Sequence, residues 1–225
     1  MEKADIGVGN AILCFGDSFY SALRTAMAEK NLKKAPDCSG SLKGFVAGGV
    51  AVYQSHVGAP GAAMLFDTLI ASGVKRLLML GMAGSISTDC HIGDVVVPAW
   101  GIREEGTSHH YLRSDEQARA SPDMLRDIRK HFGHMGILEG GVWTIDAPYR
   151  ETAEKVKAYS TSGVLVVEME CTALMSVAKY RKRSFGSVLV VTDEVRHDGW
   201  KKAFRGAKVR RTTRLVCESA ADYFG

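Results

Sequence analysis

The stretch Val167-Glu168-Met169-Glu170-Cys171-Thr172-Ala173-Leu174 places two carboxylates two residues apart, at the point where an apolar run becomes a helical pattern. Before it, residues 164–167 form a short β-branched and apolar run, which is typical of a buried strand. After it, apolar residues recur at helical spacing, and cations near residue 181 suit the carboxyl end of a helix dipole. Glu168 and Glu170 are therefore predicted to lie at a strand-to-helix corner, where ligands bind in open α/β sheets.

Two interpretations of this acidic pair are open. Burying carboxylates costs several kcal/mol unless hydrogen-bond donors satisfy them. The donors are either the hydroxyls of a bound sugar or the free backbone amides at the N-terminus of the helix, which acidic residues commonly cap.

The composition is that of an ordinary globular protein, and we predict a single domain over residues 1–225. The hydrophobic fraction is 46%, and no apolar run reaches the roughly 18 residues that a membrane span requires. The charged segment Met1–Asp5 lacks the layout of a signal peptide. Five cysteines are scattered singly without a C-x-x-C pair, so neither a metal site nor a disulfide framework is indicated. We expect a cytoplasmic protein with reduced thiols and no membrane partner.

The net charge of +4 comes largely from cations near the C-terminus. A nucleic-acid patch is conceivable. No aromatic residues are interleaved to stack on bases, so we interpret the cations as the solvated face of a C-terminal helix and predict no nucleic-acid partner. The cations are Lys201, Lys202, Arg205, Lys208, Arg210, Arg211 and Arg214.

Strand and helix signals alternate along the chain, which predicts an α/β protein with a mixed, largely parallel sheet. Strands are predicted at 11–15, 45–56, 76–80, 94–98, 140–144, 163–167 and 187–191. Helices are predicted at about 19–30, 62–72, 122–132, 151–158, 171–182 and 206–223. The segments 99–120 and 193–207 are predicted to be the longest loops, and long loops in a compact domain are often functional.

The acidic stretch belongs to a series of motifs that runs nearly from end to end. The others are Gly16-Asp17-Ser18, Ser39–Gly44, Val57–Pro60, Gly81–Ile86, Ile92–Pro98, Glu105–Tyr111, Asp146–Thr152 and Thr192-Asp193. In order and spacing they resemble the nucleoside phosphorylase-I family, which includes purine nucleoside phosphorylases, uridine phosphorylases and methylthioadenosine nucleosidases. The likeness is greatest to the bacterial uridine phosphorylase-like branch. It implies a three-layer α/β/α fold, a homo-oligomer of at least two subunits, and no metal or organic cofactor.

The resemblance also implies how a nucleoside is held. Glu170 would accept hydrogen bonds from the ribose hydroxyls, with Met169 packed against the sugar. Glu168 lies in the same substrate-binding motif, although backbone donors are the better match for its carboxylate. A lone methionine is more often part of a core, so only the motif favours a substrate role for Met169. Ala83 and Gly84, in the glycine run after the 76–80 strand, are also predicted to contact substrate.

At the base, Asp193 is the predicted general acid. It follows a buried strand, and a carboxyl group in a dry cleft can have a raised pKa and donate a proton; the alternative is a turn-forming role. Arg196 or Arg205 would pair with it, and the spacing does not choose between them.

Aromatic residues are predicted to stack on the nucleoside. Tyr149 matches the aromatic that stacks on base or sugar, while Pro148 replaces the aromatic that usually precedes it. Trp143 and Trp200 could supply the lost face. The uracil-reading glutamine and arginine of uridine enzymes are replaced by Thr152 and Glu154.

On the nucleophile side the chain departs from the family. Phosphorolysis needs an anion site made of glycine amides and arginines. The predicted phosphate residues are Gly16, Met82 and Lys33. Tyr20 and Met79 stand where arginines are expected, Met82 replaces a hydroxyl residue, and Lys33 aligns near an arginine that a neighbouring subunit contributes. Arg24, Lys43, Arg76 or Arg103 could compensate.

We therefore expect cleavage of a nucleoside N-glycosidic bond, with phosphorolysis of a purine nucleoside to base and ribose 1-phosphate as the first choice. Inorganic phosphate would be the co-substrate. Hydrolysis without phosphate is the second choice, and a non-catalytic nucleoside-binding protein is the third.

Overall fold

The computed structural model describes residues 6–196 and 199–225. The strands within these ranges are β1 (Asn10–Cys14), β2 (Lys33–Lys34), β3 (Ser41–Ala47), β4 (Val50–Ser55), β5 (Arg76–Ser85), β6 (Val95–Glu104), β7 (Ala118–Arg119), β8 (Leu138–Ile145), β9 (Val164–Glu168), β10 (Ser184–Arg196) and β11 (Gly199–Lys202). The helices are α1 (Asp17–Ala26), α2 (Ala59–Ala71), α3 (Pro122–Phe132), α4 (Ala153–Thr161), α5 (Cys171–Arg181) and α6 (Ala207–Ala220).

The strands form one mixed sheet in the order β11-β10-β6-β8-β9-β5-β1-β4-β3-β2, and β7 pairs with β6. The pairs β1–β4, β1–β5, β5–β10, β6–β8 and β8–β9 are parallel, whereas β5–β9, β6–β10 and β10–β11 are antiparallel. Among the helices, α1 packs against α6, and α2 packs against α5. The predicted α/β class with a mixed sheet is confirmed.

One part of the sheet closes on itself. Because β10 pairs with both β5 and β6, the strands β10, β6, β8, β9 and β5 form a ring. The ring brings the carboxyl ends of β5, β9 and β10 together, and this edge of the sheet carries the predicted site.

The prediction of one strand over residues 45–56 is wrong. Two antiparallel strands, β3 and β4, turn at Gly48 and Gly49. These glycines have φ of 55° and 75°, as the two central residues of a tight type I′ hairpin require. The apolar pattern runs through both strands, so periodicity alone did not reveal the turn.

The two predicted loops are wrong in part. In the first, β6 continues to Glu104 and β7 occupies Ala118–Arg119. In the second, β10 continues to Arg196 and pairs with β11; residues 197 and 198 of that predicted loop lie outside the described residues. Pairing with neighbouring strands satisfies the backbone of these polar segments, which local sequence does not predict.

Helix α5 positions the acidic corner. Its residues from Cys171 to Ala178 are all buried, because α5 packs against α2 on one side and against β6, β8 and β10 on the other. Its N-terminus therefore lies at the carboxyl end of β9. None of the described helices is long and apolar enough to cross a membrane.

Candidate active site

A cavity of about 580 Å³ lies at the carboxyl ends of β5, β9 and β10. Eight of the predicted site residues line it: Met82, Ala83, Gly84, Tyr149, Glu168, Met169, Asp193 and Arg196. The lining also includes Glu151, Val195, Trp200 and Phe204. Glu170, Gly16, Lys33 and Arg205 are not part of the lining.

Asp193 is 5% exposed, and both of its carboxylate oxygens accept hydrogen bonds. Thr192 Oγ1 donates to Oδ1 at 2.8 Å. Trp200 Nε1 donates to Oδ2 at 2.6 Å. An irregularity in the β10–β5 register between Val191 and Asp193 brings these neighbouring polar side chains together.

The expected arginine partner of Asp193 is not what the structure shows. Arg196 lines the cavity, but its guanidinium donates to the carbonyls of Ser85 at 2.8 Å and Cys90 at 3.2 Å. Arg205 is exposed, and its carbonyl accepts from Arg210. The described hydrogen bonds to the Asp193 side chain come instead from Thr192 and Trp200. The carbonyls that bind Arg196 are more than 100 residues away in the sequence, so residue spacing could not have predicted them.

Glu151 is a cavity residue that the sequence analysis missed. Burial, with the nearby Asp193 charge as a second cause, raises the pKa of its carboxyl to about 7. Glu151 and Asp193 thus share one cavity. The Asp146–Thr152 motif contained this glutamate, but its proximity to Asp193 depends on the ring, which places the segment after β8 beside the end of β10.

The aromatic residues separate into two environments. Tyr149 is 92% exposed at the cavity, and Trp200 is 47% exposed. Trp143 is fully buried, where its Nε1 donates to Glu104 at 2.7 Å. The suggestion that Trp143 provides a stacking face is therefore wrong, because β8 directs it into the core.

Glu168 caps the first turn of α5. Its Oε2 accepts from the amides of Glu170 at 2.7 Å and Cys171 at 2.8 Å. Its Oε1 accepts from Thr144 Oγ1 at 2.5 Å. Burial raises its pKa, and these donors oppose the shift. Three donors occupy the carboxylate, so its contact with the cavity is secondary to holding the corner.

Glu170 is 5% exposed and bridges to the start of α2. Its Oε1 accepts from the Gly58 amide at 2.6 Å. Gly58 has φ of 102°, a conformation that suits glycine. Burial first, and the Glu168 charge second, raise the pKa of Glu170. From this corner, Val167, Glu168 and Met169 line the cavity, whereas Glu170 does not.

The cavity wall at Met82, called the Gly16 end below, adjoins Gly16, which precedes α1 and lies outside the lining. A Cβ atom at Gly16 would lie 3.1 Å from Met82 Cε. Tyr20 is buried in the first turns of α1, and Lys43 Nζ lies 4.7 Å above its ring while forming a 2.6 Å ion pair with Asp17.

The other residues considered for an anion site lie elsewhere. Met79 is fully buried, with its Sδ 3.6 Å from Cys171 Sγ. Lys33 is exposed on β2, at the edge of the sheet. Arg76 pairs with Asp127, and Arg103 donates to carbonyls of residues 112, 113 and 116. Lys43 pairs with Asp17 in the first turn of α1, next to Gly16, whereas Arg24 lies in the last turn of that helix.

A family model described as "Phosphorylase superfamily" matches residues 38–222. The chain belongs to this superfamily. Over 142 residues it is 28% identical to a guanosine phosphorylase of Halorubrum lacusprofundi, covering 62% of this chain and 59% of that protein. Over 151 residues it is 33% identical to a DeoD-type purine nucleoside phosphorylase of Bacillus cytotoxicus, covering 65% and 64%. The match thus spans about three fifths of these relatives' length.

Solved structures share the fold across almost the whole chain. A uridine phosphorylase from Vibrio fischeri superposes with a TM-score of 0.82 at 20% identity, covering 99% of this chain and 96% of that one. A purine nucleoside phosphorylase from Toxoplasma gondii, in complex with immucillin-H, superposes with a TM-score of 0.81 at 18% identity, covering 99% and 93%.

Proposed function

We propose that this protein cleaves the N-glycosidic bond of a purine nucleoside by phosphorolysis, releasing the free base and ribose 1-phosphate. The observation that carries the proposal is the cavity in which Asp193 and Glu151 face the same space beside Met169. The relatives named guanosine phosphorylase and purine nucleoside phosphorylase support it.

Bond cleavage leaves negative charge on the base, which must be met by a proton or a hydrogen bond. The pKa of Glu151, about 7, lets this residue carry a proton at neutral pH and deliver it to the departing base. Asp193 accepts hydrogen bonds on both oxygens, so it is suited to accept from an N–H group of the base. Glu151 therefore takes the role of general acid that the sequence analysis gave to Asp193, and Asp193 acts as a hydrogen-bond acceptor for the base.

The sugar end is organised by Glu170. In this proposal the ribose hydroxyls donate to the Glu170 carboxylate, whose Oε1 also accepts from the Gly58 amide. A carboxylate there also stabilises the positive charge that develops on the sugar in the transition state. Hydroxyl donors arriving with the substrate offset the burial that otherwise favours its protonated form.

The enzyme uses inorganic phosphate and no metal or organic cofactor. It works as a homo-oligomer in the cytoplasm, with Lys33 of one subunit directed at the cavity of another. Residues 1–225 act as a single domain.

Hydrolysis is a second candidate, and Met82 favours it. Its thioether methyl group lies beside Gly16, where an anion site would need backbone amides open to phosphate. Tyr20 and Met79 are uncharged residues at positions where the resemblance leads us to expect arginines. Water needs no such site. A binding protein without activity is disfavoured by the paired acids in the cavity.

The test is to incubate the pure protein with adenosine, inosine, guanosine, uridine and methylthioadenosine, each with and without phosphate, and to quantify released base. Release of purine that requires phosphate supports the proposal. Release without phosphate assigns a nucleosidase instead. The Asp193→Asn variant is the control for a contaminating activity, since a contaminant would survive the substitution.

A further inference from the structure

The hairpin of β10 and β11 brings a tryptophan to the acid at the base end. In this hairpin Asp193 is opposite Lys202, and Val195 is opposite Trp200. Asp193 and Trp200 are therefore diagonal neighbours on one face of the hairpin, a distance that long aromatic side chains span. The 2.6 Å bond from Trp200 Nε1 to Asp193 Oδ2 is the result.

Two neighbours hold the indole, one outside the cavity lining (Lys202) and one within it (Phe204). Lys202 Nζ lies 3.8 Å from the centre of the Trp200 ring, a cation–π contact. Phe204 meets the ring edge-on at 6.2 Å. Since an indole N–H donates and never accepts, its bond to Asp193 has one direction, and it fixes the rotation of the carboxylate.

We propose that Trp200 is a positioning residue that acts through Asp193: its indole N–H holds Oδ2, so that the carboxylate presents a fixed edge to the base. The inference rests on the proposed function of Asp193. It assigns to a tryptophan the part that an arginine was expected to take.

The test is a double-mutant cycle on base release. Trp200→Phe keeps an aromatic ring but removes the N–H donor together with one ring of the indole. Because misplacing a catalytic group by about 1 Å can cost on the order of 100-fold, we expect kcat to fall about 10- to 100-fold while KM changes little. In an Asp193→Ala background, the same substitution should change kcat by less than about threefold, since coupled residues are not additive.

A matched control is Trp143→Phe. It also removes an indole–carboxylate bond, the 2.7 Å contact with Glu104, but outside the cavity. Its kcat should stay near that of the wild type at temperatures well below its melting temperature. Because Trp143 is fully buried, the second control is Trp100→Phe, should the first variant not fold; Trp100 is a half-buried residue of β6 outside the cavity lining.

An independent readout is the indole ¹⁵N–¹H spectrum, which contains three signals for three tryptophans. The signal missing from Trp200→Phe should shift in Asp193→Ala, whereas the Trp143 signal should not. Losses that multiply in the cycle, or an unmoved Trp200 signal, would overturn the role of Trp200 alone. No base release by the wild type would overturn the proposed function and this inference with it.

Discussion

The two ends of the cavity differ in how they are built. At the base end, Asp193 and Glu151 are polar, and Asp193 has a donor for each oxygen. At the Gly16 end, a methionine methyl group lies 3.1 Å from where a Cβ of Gly16 would be. Under the proposed function, the difference teaches that departure of the base and arrival of the nucleophile are separate problems. Two acids are available for the first, whereas Tyr20 and Met79 stand where arginines for the second were expected.

The largest effect is expected from a substitution of Asp193, at the base end of the cavity. Asp193→Asn should lower turnover by about 10²- to 10⁴-fold, the range for removing a group that handles protons or charge in the transition state. The fold should remain, as checked by circular dichroism and melting temperature. Glu194→Gln is the control, because the Glu194 carboxylate accepts from the Ile92 amide outside the cavity. Unchanged turnover in Asp193→Asn would remove this residue from the mechanism.

The second-largest effect concerns the sugar-binding role that we propose for Glu170. Glu170→Gln should lower kcat/KM for a ribonucleoside by about 10- to 100-fold, since a hydrogen bond to a charged group contributes about 1.5–3 kcal/mol. Binding of the free base should not change. A 2′,3′-dideoxynucleoside provides the internal comparison: the wild type should lose activity on it, and the variant should lose little more. Equal losses on both nucleosides would contradict the sugar-binding role.

A third effect is a dependence of activity on pH that we assign to Glu151. Because burial and the Asp193 charge raise the pKa of Glu151 to about 7, its proton is present below that pH and is lost as the pH rises through it. Therefore kcat/KM should fall up to tenfold per pH unit above about 7. Glu151→Gln should be slower at pH 6 and should lack this alkaline limb. A limb that persists in Glu151→Gln would belong to another group.

The smallest effect is expected from a substitution of Met82, at the Gly16 end, and concerns the dependence on phosphate. Met82→Thr removes the thioether and adds a hydroxyl donor, and one hydrogen bond contributes about 1 kcal/mol, or roughly fivefold. The ratio of base released with and without phosphate should rise by about that factor. Met79→Leu, a volume-conserving change in the core, should leave the ratio unchanged. An unchanged ratio in Met82→Thr would show that Met82 does not limit the use of phosphate.

Much of the fold followed from local pattern. Helix α3 begins and ends at the predicted residues 122 and 132, because serine precedes it and proline occupies its first turn. The acidic corner also lies where periodicity changes from strand to helix. In contrast, β11 and the end of β6 are polar segments, and they become strands because a neighbouring strand pairs with them.

The sequence by itself determined the α/β class, the acidic corner at Glu168 and Glu170, and the order of motifs that resembles the family. These features depend on the spacing of residues along the chain. Only the tertiary structure decided that Trp200, rather than an arginine, donates to Asp193, and that Glu151 shares its cavity. Those relations depend on the closure of the ring and on strand register, which join residues far apart in sequence and leave no periodic signal.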